Sequence, residues 1–206
     1  MTNSPFGPDR IAVISANSGW NILNFRQPII TALQAAGWTI VAMAPPDEAA
    51  SKIGSLGIRL IPIRIDSSGT SVLRDARLFL AYRRALRRLR PTAFLGFTVK
   101  PNIYGSLAAA GLGIRVINNI SGLGTAFLRG GPLGWLVRGL YRLALRRSAR
   151  VFFQNPDDLD LFAAGRLVRE EQARLLPGSG IDLQHFQPAS RPSAPGRPFR
   201  FLFVGR

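Results

Sequence analysis

The sequence predicts an α/β protein built on a doubly wound parallel sheet of Rossmann-like type, and three observations predict it. Short apolar runs alternate with segments of helical period along most of the chain, the pattern of repeated βα units with strands buried on both faces. Proline and glycine punctuate the junctions where helices start and stop. Two of the apolar runs pass straight into polar, glycine-rich chain, in Gly96-Phe97-Thr98-Val99-Lys100-Pro101-Asn102-Ile103-Tyr104-Gly105 and in Asn118-Asn119-Ile120-Ser121-Gly122-Leu123-Gly124-Thr125-Ala126-Phe127. Ligands of open α/β sheets bind at the carboxyl ends of strands, so these two edges are expected to line one cleft.

Taken in order, residues 10–15 form a short apolar run suited to a buried parallel strand. Residues 21–36 have helical period and are closed by Gly37 as C-cap. Strands at 38–44 and 58–63 flank a helix at 47–56. Residues 71–90 make a long helix with a core stripe of Leu78, Phe79, Tyr82, Leu86 and Leu89, stopped by Pro91. A strand at 92–97 leads into a helix at 101–112 with Pro101 in its first turn. A strand at 115–120, a helix at 132–148, a strand at 150–154, a helix at 156–164 and a strand at 172–176 complete a first domain at 1–188. Residues 189–198, rich in proline, glycine and serine, read as a linker. Residues 199–206 read as a fresh buried strand, the first of a further α/β domain cut short where the sequence stops.

With 206 residues and almost half of them hydrophobic, the chain has the composition of a globular protein. Cysteine is absent, which excludes disulfides and thiolate metal sites. The first nine residues lack the order of a secretory signal, and no apolar run approaches the ~20 residues of a membrane span. The net charge is +16, with no acidic residue between Asp75 and Asp157. A field of this sign attracts phosphates, nucleic acid or an anionic membrane surface. Nearly all of it is arginine, with Lys52 and Lys100 the only lysines, so biased codon usage accounts for roughly half of the excess on solvated faces.

Among single residues, Lys100 stands where a strand gives way to a helix N-terminus, a setting that favours a diphosphate. Arg26, in the first helix, is within reach of a phosphate in the cleft or else exposed to solvent. Ser18-Gly19 follows the first strand where nucleotide folds carry a glycine turn, although a full G-x-G-x-x-G is missing. Asn118 and Asn119 face the cleft or cap the next turn. His185, the only histidine, reads as structural or solvated, and Asp157 and Asp158 as helix caps. In the 132–148 helix, Leu133, Leu136, Val137, Leu140, Leu143 and Ala144 make the expected core stripe. The opposite face gathers Trp135, Leu145, Arg138, Arg142 and Arg146, which suits a helix lying in an anionic membrane interface.

The order of Asn24-Phe25-Arg26, the 97–105 stretch, Ile120-Ser121-Gly122-Leu123-Gly124, Phe152-Phe153-Gln154-Asn155-Pro156-Asp157-Asp158, Pro177-Gly178-Ser179-Gly180-Ile181-Asp182 and Phe203-Val204-Gly205-Arg206 resembles the N-terminal half of glycosyltransferase family 4 enzymes. The likeness is closest to the bacterial branch that extends undecaprenyl-diphosphate-linked sugars in surface polysaccharide or glycan synthesis. It implies a GT-B fold of two Rossmann-like domains, acceptor mostly on the first and nucleotide-sugar donor mostly on the second. It further implies a retaining hexosyltransferase that needs no metal or other cofactor, acting at the cytoplasmic face of the plasma membrane as a peripheral protein, with no nucleic-acid partner. The acceptor-binding residues it suggests are Arg26, Lys100, Asn102, Ser121, Gly122, Gly124 and Thr125; Arg206 matches the arginine that holds the donor diphosphate. The donor-site lysine and the E-x7-E pair of the family have no match here, so the isolated chain is expected to be inactive and its catalytic residues stay unassigned. Two other classes fit parts of the sequence: a nucleotide-sugar 2-epimerase of the same fold, and a non-enzymatic basic binding module.

Overall fold

The computed structural model describes residues 10–66, 71–123, 127, 131–180, 183, 186–188 and 201–203. Seven strands, β1 (Ile11–Ser15), β2 (Thr39–Ala44), β3 (Arg59–Pro62), β4 (Ala93–Phe97), β5 (Arg115–Ile120), β6 (Ser148–Phe153) and β7 (Ala173–Leu175), form one sheet. All pairings are parallel, in the order β3-β2-β1-β4-β5-β6-β7. The order turns back between β1 and β4, the topological switch point of a doubly wound, Rossmann-like sheet.

The pleat of each strand feeds two helical layers. On one face Ala12, Ile14, Leu95 and Phe97 pack with Ile22, Ile30 and Ile53 from α1 (Gly19–Phe25), α2 (Gln27–Ala35) and a 3-10 helix (Glu48–Leu56). On the other, Val13, Phe94 and Val116 meet Leu78, Tyr82 and Leu86 of α3 (Val72–Leu89) and Ala108 and Ala109 of α4 (Ser106–Ala110). Farther along that face Ile120, Val151 and Phe153 pack with Tyr141 and Leu145 of α5 (Pro132–Leu145) and Phe162 of α6 (Pro156–Ala164). Phe162 stacks on Phe127 at 5.1 Å and meets Tyr141 and Phe153 edge-on.

The structure corrects several expected elements. The helix at 21–36 is two helices broken at Arg26 (φ −114°, ψ −2°), because Pro28 has no N–H to donate and crowds the carbonyl four residues back. The segment 101–112 opens as a π-helix (Pro101–Gly105) before α4. Gly105 is required there: a Cβ would stand 2.3 Å from Phe94 Cζ. Ser148, expected in a helix, belongs to β6, where it pairs with Val116 and donates from Oγ to Asn118 Oδ1 at 2.7 Å. The stripe of α5 is rotated from the expected one: Tyr141, Ala144 and Leu145 are buried, whereas Leu136 and Leu143 are exposed. The buried side is the one that puts Tyr141 and Leu145 against Phe127 and Phe162, and both arginines of the helix at 138 and 142 are used along the α5–α6 seam. Arg138 lies 5.0 Å from the centre of the Phe127 ring, and Arg142 donates to the carbonyls of Gly165 (2.8 Å) and Arg166 (3.3 Å) past the end of α6.

Of the expected strand at 199–206, Phe201–Phe203 are described; they stand more than 85% exposed and join no strand of the sheet. The expected linker at 189–198 and the remaining residues of that strand, Arg206 included, lie outside the described residues.

Candidate functional site

The carboxyl ends of β1 and β4 are tied together across the switch point, where Asn17 N donates to Thr98 Oγ1 at 3.1 Å. Thr98 holds φ = +67°, a conformation that is unusual for a β-branched residue and clusters at ligand sites. The π-helix, itself a feature that recurs at functional positions, begins three residues later at Pro101.

Arg26 is the central charge at this edge. Its Cα sits in the break between α1 and α2, and its guanidinium lies 4.2 Å from the centre of the Phe97 ring at the end of β4. It donates from Nε to Asn21 Oδ1 (3.2 Å) and from Nη1 to Ser179 Oγ (2.9 Å). The residue is only 3% exposed and, among the described residues, no carboxylate pairs with it. Burial pushes its pKa down to about 10, so at neutral pH it remains a cation held against a desolvation cost. Buried charges are ordinarily paired; among the described residues this one has no counter-charge.

Ser179 sits between Gly178 and Gly180, both at φ +75°, and only glycine adopts that backbone without strain. Its hydroxyl accepts from Arg26 Nη1 and from Gln154 Nε2 at 2.9 Å each. Two accepted bonds fill both lone pairs, which leaves the O–H as a donor for a ligand. Asn119, paired in register with Phe97, is 7% exposed and its Oδ1 has no hydrogen-bond partner. A cation and a hydroxyl donor thus meet past the ends of β4 and β6, a pair suited to phosphate oxygens, while the Asn119 amide oxygen, an acceptor, lies beside Phe97 in register on β5.

The other expected residues fall elsewhere. Lys100 pairs with Asp75 at 2.6 Å, and Tyr104 donates to the same carboxylate at 2.8 Å; this triad pins the start of α3 to the π-helix. Asn102 is fully buried, donating to Asn119 O (2.9 Å) and accepting from Asn118 Nδ2 (2.8 Å), so it braces β5 from below. Asn118 also donates to Ser106 Oγ at 2.8 Å, and faces this core rather than the edge. Ser18 caps α1 by accepting from Asn21 N at 3.1 Å, and Gly19 N donates to Asp47 Oδ2 at 2.7 Å. A carboxylate therefore fills the place where nucleotide folds hold a phosphate, and Gly19 serves close packing, since a Cβ would stand 2.5 Å from Asp47 Oδ1. Ser121 and Gly122 are exposed just past β5, Gly122 at φ +151°. Gly124, Thr125 and His185 lie outside the described residues. Trp135 and Arg146 are exposed on α5, and Asn155 Oδ1 caps α6 by accepting from Asp158 N at 2.8 Å. Ser179, Gln154 and Thr98 carried no assigned role in the sequence; the paired glycines around Ser179 were the one local signal. Among the described residues no group of three His, Asp or Glu side chains gathers where it could hold a metal ion.

Comparison with known proteins gives a family. The glycosyl transferase 4-like domain matches residues 26–178, a span from the buried arginine to the glycine before Ser179. The N,N'-diacetylbacillosaminyl-diphospho-undecaprenol alpha-1,3-N-acetylgalactosaminyltransferase of Campylobacter jejuni is 26% identical over 184 residues, covering 87% of this chain and 48% of that protein. MurG of Acinetobacter baumannii superposes with a TM-score of 0.56 at 17% identity, over 87% of this chain and 48% of its own. A UDP-N-acetylglucosamine 2-epimerase superposes with a TM-score of 0.65 at 13% identity, over 91% of this chain and 53% of its own. These structures have the GT-B fold, of which this chain takes one Rossmann-like domain. The chain spans about half the length of each of these proteins.

Proposed function

Since the chain belongs to the glycosyl transferase 4-like domain family, we propose that it supplies the acceptor-binding domain of a retaining, metal-independent hexosyltransferase that moves a sugar from a nucleotide-sugar to a polyprenyl-diphosphate-linked sugar. The observation that carries the reading is Arg26: a buried guanidinium at the switch point with no carboxylate partner among the described residues. In this reading the acceptor diphosphate supplies the missing charge, Ser179 donates its free proton to a phosphate oxygen, and the Asn119 amide fixes the first sugar. The acceptor hydroxyl is thereby held above the ends of β4 and β5, facing the donor, whose diphosphate Arg206 helps to hold. The work of this domain is orientation, which turns a bimolecular transfer into attack within a preformed complex. No helix among the described residues is long and apolar enough to cross a membrane, and the reading places the protein peripherally on the inner face of a bacterial plasma membrane.

Equilibrium dialysis of the 206-residue chain against a short-chain polyprenyl-diphosphate-linked sugar tests this. Saturable retention, displaced by pyrophosphate but not by the free sugar, is the expected result. No retention, or retention displaced by free sugar alone, contradicts it.

A further inference from the structure

Helix α3 carries a surface that the site above does not use. Its buried side is Leu78, Tyr82 and Leu86; at 100° per residue the opposite side centres on Leu73, Leu80 and Arg84, bordered by Arg77, Arg83, Arg87 and Arg88. Leu73 is 61% and Leu80 55% exposed. Arg83, Arg84, Arg87 and Arg88 are exposed on the same side as Leu80. The acid of this helix, Asp75, is engaged by Lys100, and among the described residues no salt bridge reaches any arginine of that border. Like charges three and four residues apart on one helix repel, so the surface is built at a cost in stability that an anionic partner offsets.

We propose that this face of α3 docks the protein on an anionic phospholipid bilayer. Two observations select a bilayer over nucleic acid. Aliphatic side chains occupy the centre of the arginine face, where a lipid interface accepts them. The aromatic residues of α3, Phe79 and Tyr82, are turned toward the core, so the arginine-bearing helix itself presents no platform for base stacking. The neighbouring helices agree: α3 and α5 both pack against α4 and the π-helix on the same side of the sheet. Trp135, Leu136 and Leu143 of α5 are exposed in that layer, while Arg138 and Arg142 are committed to the α5–α6 seam. Arginines of α3 meet lipid phosphates, and the exposed apolar residues of both helices enter the headgroup boundary. This extends the acceptor reading to a second surface, and its test involves neither sugar nor diphosphate.

Co-sedimentation of the 206-residue chain with phosphatidylglycerol-containing vesicles, across a salt series, is the experiment. Wild type should bind with affinity that falls as salt rises. The variant R83S/R84S/R87S/R88S should lose at least about a hundred-fold in partitioning, with its circular dichroism unchanged because all four side chains are exposed. A second variant, Leu73→Ser with Leu80→Ser, should lose binding while keeping the salt slope. Equal binding to neutral phosphatidylcholine vesicles, unchanged binding of the arginine variant, or retention of single-stranded RNA but not of vesicles would each overturn the proposal.

Discussion

Two buried polar atoms among the described residues lack hydrogen-bond partners, Asn119 Oδ1 and Tyr141 Oη, and their settings assign them opposite roles. Tyr141 lies among Phe127, Phe162 and Leu145, so its hydroxyl is desolvated without a hydrogen-bond partner among the described residues. Tyr141→Phe should therefore raise stability by about 1 kcal/mol, read as a higher midpoint in urea with unchanged m. Burial first, and the nearby Asp158 charge second, push the Tyr141 hydroxyl pKa well above its ordinary value. A group raised on folding contributes stability that is complete below the unfolded pKa near 10 and is lost as pH rises above it. Wild type should thus weaken above about pH 10, and the phenylalanine variant should weaken less. Asn119, by contrast, stands at the binding edge, where an open acceptor is useful only to a ligand. Lys100 behaves as a structural cation in the triad with Asp75 and Tyr104. Lys100→Ala leaves Asp75 partly buried without its ammonium, so it should lower the melting temperature without changing diphosphate binding by more than about two-fold. A large loss of binding at unchanged stability would return Lys100 to the acceptor site.

At the scale of elements, the stretch 96–105 positions the edge through packing. Gly96 makes room for the Asn102–Asn118 bond, since a Cβ there would stand 2.7 Å from Asn102 Oδ1, and Gly105 lets the π-helix cross the Phe94 ring. Gly105→Ala should cost about 1 to 3 kcal/mol by overpacking, measurable by chemical denaturation; a neutral result would mean that the π-helix is not seated on Phe94. The strands were legible in the sequence because parallel strands buried on both faces are continuous apolar runs, and all seven lie within two residues of their expected ends. Helix detail was less legible. Pro28 was read through because the apolar period continues across it, and the π-helix leaves no trace in period over five residues. The rotation of α5 depended on Tyr141 and Leu145 finding Phe127 and Phe162, a tertiary fact that a helical wheel does not contain. Of the site, Arg26 was named from the sequence, whereas Ser179 and Gln154 were not, because Ser179 meets Arg26 from 153 residues away and Gln154 meets Ser179 from 25 residues away.

At the scale of the molecule, charge and topology divide the labour. The stretch free of acid between Asp75 and Asp157 contains nearly all of α3, the π-helix, α4 and α5, so this part of one helical layer is strongly positive and its long-range field favours lipid and phosphate together. The switch point opens at the end of the same sheet, with Arg26 as its buried cation. The central claim is that this cation is completed by a diphosphate. Thermal unfolding of wild type and Arg26→Met, each with and without a short polyprenyl diphosphate, tests it most directly. Methionine fills similar space against Phe97 without a charge, so unliganded Arg26→Met should melt at or above the wild-type temperature. At a hundred-fold excess over Kd the ligand stabilises by about 2.7 kcal/mol, and the wild-type midpoint should rise by roughly 5 to 10 °C, while Arg26→Met should show no rise. An equal rise in both proteins, or collapse of the unliganded variant, would make Arg26 a strap for the Ser179 loop and contradict the account.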